Sequence, residues 1–211
     1  MTTIGIIGSG HVGSSLARAA IAHGYDVVLS RSRGPDTLAG LVKDLGPKAR
    51  AATPAETAAA CEFAVVAIPI ATIGQVPVKP LAGKVVIATI NYFPQRFGHI
   101  PEIDQGKATA PGLLQAHLPQ SLVVRAFSMI NAAEMSGDGH PKGDPRRRAL
   151  ALAGDDQAAK ELVTGLYDEF GFDPVDIGRL DESWRVDAGQ PAFVVRQNVA
   201  ELKANVARAK R

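Results

Sequence analysis

The chain has 211 residues, of which 46% are hydrophobic and 21% charged, and its formal net charge at pH 7 is +2. This length and hydrophobic content suit a single domain with a real core, which we expect to span residues 1–211 with residues 180–211 as a helical extension. The small and dispersed charge argues against nucleic acid or an anionic membrane surface as the main partner.

The first predicted elements are a buried strand, a glycine turn and a helix. The apolar run Ile4 to Ile7 is followed directly by Gly8, Gly10 and Gly13 in G-x-G-x-x-G spacing. In that context the glycines allow a tight turn, a close approach of the backbone to a pyrophosphate, and close packing of helix on strand. The helix amides and dipole would then receive the phosphates. The turn also contains Ser9, His11 and Val12.

The second predicted strand, residues 25–30, indicates which dinucleotide is bound. Sites that prefer NAD usually offer an Asp or Glu at its end to the ribose 2′-hydroxyl. Here Ser30 stands at that place, and Arg31 and Arg33 follow it. Guanidinium groups match phosphate geometry, so the sequence predicts NADP(H) as the cofactor. The alternative is that both arginines are solvated loop residues.

The rest of the chain alternates apolar strands with helical stretches. This order predicts an α/β fold, a Rossmann-type doubly wound and mostly parallel sheet with helices on both faces and a C-terminal helical segment. Further strands are predicted at residues 48–52, 63–68, 85–90, 122–127, 149–153 and 173–177, and helices at residues 37–44, 54–60, 155–170 and 191–211.

Two features of the second half have competing interpretations. Val195, Val199, Leu202 and Val206 form one stripe of the predicted terminal helix, which could cover the domain's own core or that of a second subunit, and we expect a homodimer. The basic run 146–148 favours a solvated edge or a local phosphate contact over a nucleic-acid site. The stretch 136–145, rich in Gly, Pro and Asp, is predicted to be a loop, and a lid is one role it could have.

Ligands of open α/β sheets lie beyond the carboxyl ends of the strands, and this rule selects further candidate residues. Ile68 and Pro69 are predicted to wall the nicotinamide half of the cofactor, and Asn91 and Asn131 to orient an amide or carbonyl, with loop capping as the alternative for both asparagines. His11 could contact a phosphate or a substrate, or it could face solvent. No catalytic residue is predicted, and no metal site, because the sequence has no triad order and no His/Cys cluster with metal-ligand spacing.

At this point the chain resembles the NADP oxidoreductases that depend on the deazaflavin coenzyme F420. The stretches that carry the resemblance are IGIIGSGHVGSSLA, SRSR, FAVVAIP, LVVRAFSMINAAEM and GFDPVDIGRLDESWR. It implies that NADP is held by Ser9, Gly10, His11, Val12, Ser30, Arg31, Pro69 and Ala132. It also implies direct hydride transfer between NADPH and a deazaflavin in an apolar pocket, while the related cytosolic domains of ferric reductases suggest a flavin acceptor.

Two other functions compete with this interpretation. One is NADPH-dependent reduction of a small carbonyl or imine, although no Lys, Tyr or His stands out as a proton donor. The other is a sensor that binds NADP without turnover, which a fold alone does not separate from an enzyme.

The sequence also predicts where the protein resides. No apolar stretch approaches the roughly twenty residues that a membrane-spanning helix needs, and the first residues lack the pattern of a secretory signal. The single cysteine, Cys61, agrees with a reducing compartment and is interpreted as a small core residue rather than a nucleophile. We therefore expect a cytoplasmic protein whose partner is a small-molecule electron acceptor, with no membrane involved.

Overall fold

The fold is that of a computed structural model that describes residues 2–211. These residues form eight strands: β1 Thr3–Ile7, β2 Asp26–Ser30, β3 Ala49–Ala51, β4 Phe63–Val66, β5 Val85–Ala88, β6 Leu122–Arg125, β7 Ala149–Gly154 and β8 Asp173–Asp176. The strands lie in the order β3-β2-β1-β4-β5-β6-β7-β8, and β1 to β6 are all parallel. β7 pairs antiparallel with β6, and β8 runs parallel to β7. The predicted Rossmann-type, mostly parallel sheet is confirmed.

Helices cover both faces of this sheet. They are α1 His11–Ala22, α2 Ala39–Leu45, α3 Pro54–Ala60, α4 Pro94–Phe97, α5 Pro101–Asp104, α6 Ala110–His117, α7 Ala132–Met135, α8 Gln157–Glu169 and α9 Val199–Ala207, with 3₁₀ turns at Pro35–Leu38, Ile70–Gln75, Lys79–Leu81 and Leu180–Val186. Successive strand residues alternate between two cores, as Ile6 and Ile7 do in β1. One core contains side chains of α1, α8 and α9, and the other contains side chains of α3 and α6.

Two predicted helices have clear local causes. α3 occupies the predicted residues 54–60, because Thr53 and Glu56 form a reciprocal capping box at its start. α8 begins at Gln157, two residues later than predicted, because the Asp156 carboxylate caps it by accepting from the Ala159 amide at 2.8 Å.

The predicted terminal helix is much shorter than residues 191–211. α9 begins only at Val199, where Asn198 and Glu201 form a second capping box. Val195 therefore lies in the preceding loop, 42% exposed, whereas Leu202 is fully buried in the chain's own core. The stripe thus covers this domain's core at Leu202, and the homodimer stays a prediction.

The prediction of a solvated or phosphate-binding basic run is wrong for two of its three arginines. Arg147 and Arg148 are 5% and 2% exposed. Arg147 pairs with Asp168 and Asp173, and Arg148 pairs with Glu134 and Asp138. Their acidic partners lie ten or more positions away along the chain, so the run looked unpaired in the sequence. Only Arg146 remains exposed, bound to Asp144.

The Asp138 carboxylate gives this cluster a dependence on pH. Burial raises its pKa, but hydrogen bonds and charges from Arg196 and Arg148 outweigh that effect, so the pKa is lowered. A lowered pKa contributes stability that is present above the unfolded-state value, near 4, and is lost as the pH falls through the folded-state value. We expect Asp138→Asn to lower the free energy of unfolding by about 1 kcal/mol at pH 7. Urea titrations of both proteins between neutral and acid pH check this, and a difference that persisted unchanged in acid would contradict it.

No helix among residues 2–211 is long and apolar enough to cross a bilayer.

Candidate functional site

The glycine turn between β1 and α1 forms the floor of the site. Gly8 has φ +101°, and its amide donates to the Ser30 carbonyl at 3.1 Å. A Cβ at Gly8 would lie 2.3 Å from the Ala67 carbonyl oxygen, so the turn is pressed against the end of β4. Gly8 therefore meets both a conformational and a steric requirement for glycine.

The other two glycines differ in what surrounds them. A Cβ at Gly13 would lie 1.9 Å from the Gly8 carbonyl oxygen, so Gly13 allows α1 to pack on the turn. A Cβ at Gly10 would have no protein atom within 4 Å. Protein packing therefore does not demand glycine at position 10, and the open space beside it is what a close approach of pyrophosphate requires.

The start of α1 offers backbone donors to an anion. The first intrahelical bond runs from the Ser14 amide to the Gly10 carbonyl at 2.9 Å, so the amides of His11, Val12 and Gly13 precede it. Gly10 contributes no capping side chain, and the first turn has no acidic residue. Together with the positive end of the dipole of this 12-residue helix, these amides fit a phosphate group. The imidazole of His11 is exposed at the same end of the helix.

The hydroxyls of Ser9 and Ser30 point into the protein. Ser9 Oγ donates to the Ser30 carbonyl at 2.9 Å, and Ser30 Oγ donates to the Ile6 carbonyl at 3.4 Å. Both residues are buried. In this conformation the two hydroxyls hold the glycine turn against the end of β2.

A cavity of about 320 Å³ lies over this turn and contains most of the predicted cofactor residues. Its positive charge comes from Arg31 and Arg33, and none of its lining residues is acidic. Arg31 Nη2 donates to the Ser9 carbonyl at 3.3 Å, which holds the half-buried guanidinium beside the turn. The lining comprises Ile7, Gly8, Ser9, Gly10, Ser30, Arg31, Ser32, Arg33, Pro54, Ala67, Ile68, Pro69, Thr72, Gln75 and Val76.

Two further polar residues of this cavity lie on the 3₁₀ turn Ile70–Gln75, which follows the predicted wall residues Ile68 and Pro69. Thr72 ends the loop 68–72, which the rule for carboxyl ends of strands selects, and its Oγ1 donates to the Pro69 carbonyl at 2.8 Å. Gln75 is exposed and was not predicted, because a short 3₁₀ turn has no repeating pattern.

Asn91 and Ala132, two of the predicted cofactor residues, do not line this cavity. Asn91 Nδ2 donates to the Ser128 carbonyl at 2.7 Å, and Asn91 Oδ1 accepts from Arg125 Nη2 at 2.9 Å. Both the nitrogen and the oxygen of its side-chain amide therefore take part in linking two loops. Ala132 begins α7, which packs against α1, and the exposed Asn131 precedes it without capping the helix through its side chain.

A second cavity, of about 720 Å³, lies beyond Asn91 and has aromatic walls. Tyr92 and Phe93 form one side, while Trp184 and Asp187 come from the segment that contains the last 3₁₀ turn. We call this cavity the aromatic cleft. The cleft could not be predicted from the sequence, because its two sides are about ninety positions apart in the chain.

Cys61 and the stretch 136–145 do not take part in the site. Cys61 is 4% exposed, and burial raises the pKa of its thiol despite the opposing charge of Lys84, in agreement with its interpretation as a core residue. The stretch 136–145 lies beside Ala19 and His23, at the opposite end of α1 from the glycine turn. Within residues 2–211, no three His, Cys, Asp or Glu side chains are grouped so as to hold a metal ion.

Comparison with known proteins agrees with this geometry. Residues 3–92 match the model of a family described as NADP oxidoreductase coenzyme F420-dependent. The matched segment contains the glycine turn, both arginines, the wall residues Ile68 and Pro69, and Asn91. The resemblance predicted from the sequence is confirmed, and the match to this family lies in the amino-terminal part of the chain.

Relatives extend the similarity to most of the chain. A hypothetical protein of Sinorhizobium meliloti, SMa0349, is 29% identical, with a TM-score of 0.79 over 94% of this chain and 96% of its own. A protein of Arthrobacter sp. FB24, provisionally named an F420-dependent NADP reductase, is 25% identical, with a TM-score of 0.74 over 87% of both chains. Metalloreductase STEAP3 of Rattus norvegicus is 29% identical over 88% of this chain and 36% of its own length. The chain thus spans little more than a third of the curated relatives it matches.

Proposed function

We propose that the protein is an NADP(H)-dependent oxidoreductase that transfers a hydride between NADPH and a deazaflavin (coenzyme F420) or flavin-like acceptor. The observation that carries this proposal is the cavity over the glycine turn, which has two arginines and no carboxylate among its lining residues. The family match of residues 3–92 supports the same cofactor.

The residues present fit NADP(H) at both ends of its adenosine half. The amides at the start of α1 and the open space at Gly10 would receive the pyrophosphate. Arg31 and Arg33 would bind the 2′-phosphate through charge-assisted hydrogen bonds. When bound, NADPH supplies the hydride. The task of Ile68 and Pro69 is to hold apolar surface against the cofactor and to exclude water from it.

The aromatic cleft supports a planar acceptor. Tyr92, Phe93 and Trp184 offer the apolar and aromatic surface on which a ring system such as a deazaflavin or flavin packs. Hydride transfer to such a ring depends on positioning more than on an acid and a base. The provisional name of the Arthrobacter relative includes coenzyme F420, and the name of STEAP3, a metalloreductase, is consistent with a redox enzyme.

Reduction of a small carbonyl or imine is less well supported, because it calls for a proton donor beside the nicotinamide. Tyr92 lies in the loop after β5, where its hydroxyl could be considered as such a donor. That hydroxyl already donates to Asp104 Oδ1 at 2.7 Å and accepts from the Ile100 amide at 2.9 Å. The pKa of Tyr92 is raised, mainly by burial and to a smaller extent by the hydrogen bond to Asp104. This phenol therefore serves to hold the loop together.

The test mixes the protein and NADPH with one acceptor at a time. The acceptors are oxidised F420, FMN, FAD and a panel of small carbonyls and imines. Loss of NADPH absorbance with F420 or a flavin supports the proposal and identifies the acceptor. Turnover only with carbonyls or imines would replace it with the alternative. Binding of NADPH with no turnover of any acceptor would favour a sensor.

The aromatic cleft gives a separate prediction for the acceptor. Phe93 contacts Phe193 edge to face, with ring centroids 6.1 Å apart, and lines the cleft. Removal of an aromatic contact costs about 1 kcal/mol or more, so Phe93→Ala should raise the acceptor KM by about five- to tenfold and leave the NADPH KM within twofold. The matched control is Phe97→Ala, which removes a ring from the same segment outside the lining of the cleft. Equal effects of both variants on the acceptor KM would count against the cleft.

A further inference from the structure

The guanidinium of Arg125 uses all five of its N–H donors inside the protein. Arg125 is the last residue of β6 and is 1% exposed. Its bonds are Nε to Ser128 Oγ at 2.8 Å, Nη1 to the Ser183 carbonyl at 2.8 Å and to Asp187 Oδ1, and Nη2 to Asn91 Oδ1 at 2.9 Å and the Val186 carbonyl at 3.3 Å. A guanidinium has five donors in a fixed planar fork, so the relative positions of all these acceptors are fixed by one group.

These acceptors belong to three segments that are far apart in the sequence. Asn91 follows β5, Ser128 follows β6, and residues 183–187 belong to the C-terminal part of the chain. The bond from Asn91 Nδ2 to the Ser128 carbonyl closes the network between the first two segments. Asp187 extends it to the surface of the aromatic cleft, where its half-buried side chain forms part of the lining.

The network lies where the second half of a dinucleotide is expected. In this strand order the sequence of strands reverses between β1 and β4, and a dinucleotide bound there spans the carboxyl ends of both halves of the sheet. The glycine turn and the arginine pair occupy the half formed by β1 and β2. The loops that Arg125 joins follow β5 and β6 in the other half, next to the aromatic cleft.

We propose that Arg125 is a positioning residue, which fixes the loops after β5 and β6 and the segment 183–187 as one rigid wall for the nicotinamide half of the cofactor. This inference rests on the proposed function. A link that served stability alone could be apolar, since well-packed hydrophobic residues often replace buried ion pairs without loss. A planar fork with five partners also fixes orientation, and orientation is what hydride transfer requires.

The test uses the variants Arg125→Lys and Asp187→Asn and measures the binding of the two halves of the cofactor separately. The ligands are 2′,5′-ADP, which has no nicotinamide, and NADPH, whose fluorescence reports the surroundings of its nicotinamide ring. Both variants lose charge-assisted hydrogen bonds, so we expect them to bind NADPH about tenfold more weakly and without its fluorescence enhancement. Their affinity for 2′,5′-ADP should stay within twofold of wild type. Asp187→Asn changes a half-buried side chain without changing its shape, so it tests the inference if Arg125→Lys fails to fold.

The matched control is Arg147→Lys. Arg147 is also buried and paired with two carboxylates, but its partners are Asp168 and Asp173. We expect this control to lower stability and to keep the NADPH fluorescence signal. Variants at Arg125 and Asp187 that bind NADPH as wild type does, or that weaken both ligands equally, would overturn the inference while leaving the proposed function in place. Failure of the wild-type protein to bind either ligand would instead remove the proposed function.

Discussion

Gly10→Ala is expected to leave a folded protein that binds NADPH about ten- to a hundredfold more weakly, whereas Gly13→Ala is expected to damage the fold itself. The two substitutions add the same methyl group to the same turn, three residues apart. Any difference between them therefore reports what occupies the space around each position.

The structure gives the physical reason for the contrast. The added Cβ at position 13 would overlap a backbone atom, the Gly8 carbonyl oxygen at 1.9 Å, and would also press on Ile6 Cγ2 at 3.1 Å. Overpacking of this kind costs about 1–3 kcal/mol or more. At position 10 no protein atom lies within 4 Å, and φ −81° and ψ −162° are accessible to alanine. A methyl group there would instead hold a pyrophosphate away from the helix amides, whose bonds to a charged group contribute about 1.5–3 kcal/mol each.

Thermal unfolding and calorimetric titration with NADPH check both halves of this prediction. The Gly10 variant should lose no more than about 2–4 °C in Tm, because alanine is a slightly poorer N-cap than glycine. The Tm of the Gly13 variant should fall by clearly more than that of the Gly10 variant. If Gly10→Ala binds NADPH with wild-type affinity, the pyrophosphate does not lie at this turn and the proposed cofactor site is wrong.

The parts of the site that could be predicted from the sequence are those built by neighbouring residues. The glycine turn and the arginines after β2 lie within 26 residues of one another, and each has a local physical signature, a spacing or a missing carboxylate. The capping box of α9, Asn198 with Glu201, is also local and was present in the sequence, so the start of that helix could have been placed correctly.

The parts that could not be predicted depend on partners far along the chain. Arg125 ends an apolar strand, and its buried bonds could not be foreseen because its partners Asn91 and Asp187 are 34 and 62 positions away. Arg147 and Arg148 looked like a solvated run for the same reason. Burial of a charge is decided by tertiary contacts with opposite charges, and a single sequence carries no periodic signal for such contacts.

The second large effect concerns the choice between NADPH and NADH. Arg31→Ala is expected to lower the ratio of kcat/KM for NADPH to that for NADH by about tenfold, and the double variant Arg31→Ala/Arg33→Ala by about a hundredfold. A 2′-phosphate would receive charge-assisted hydrogen bonds from both guanidinium groups, and NADH has no group in that place. The whole loss should therefore come from weaker use of NADPH.

Arg31 should carry the larger share because its position is already fixed. Its bond to the Ser9 carbonyl at 3.3 Å holds the guanidinium beside the glycine turn, so little side-chain freedom remains to be lost on binding. Arg33 is exposed, and solvent and salt weaken its contribution. Raising the salt concentration should therefore reduce the effect of Arg33→Ala more than that of Arg31→Ala.

Steady-state kinetics with both cofactors measure this ratio, and Arg50→Ala is the matched control. Arg50 is an exposed arginine on β3, and it lines a groove with Thr3 and Asp26, at the amino ends of β1 and β2. Its removal changes the net charge by the same amount without touching the cavity over the glycine turn. A tenfold fall in the ratio that appeared with Arg50→Ala as well as with Arg31→Ala would point to long-range attraction of the more negative cofactor. A ratio unchanged in the double variant would mean that neither arginine contacts the 2′-phosphate, and the preference for NADP(H) would lose its physical basis.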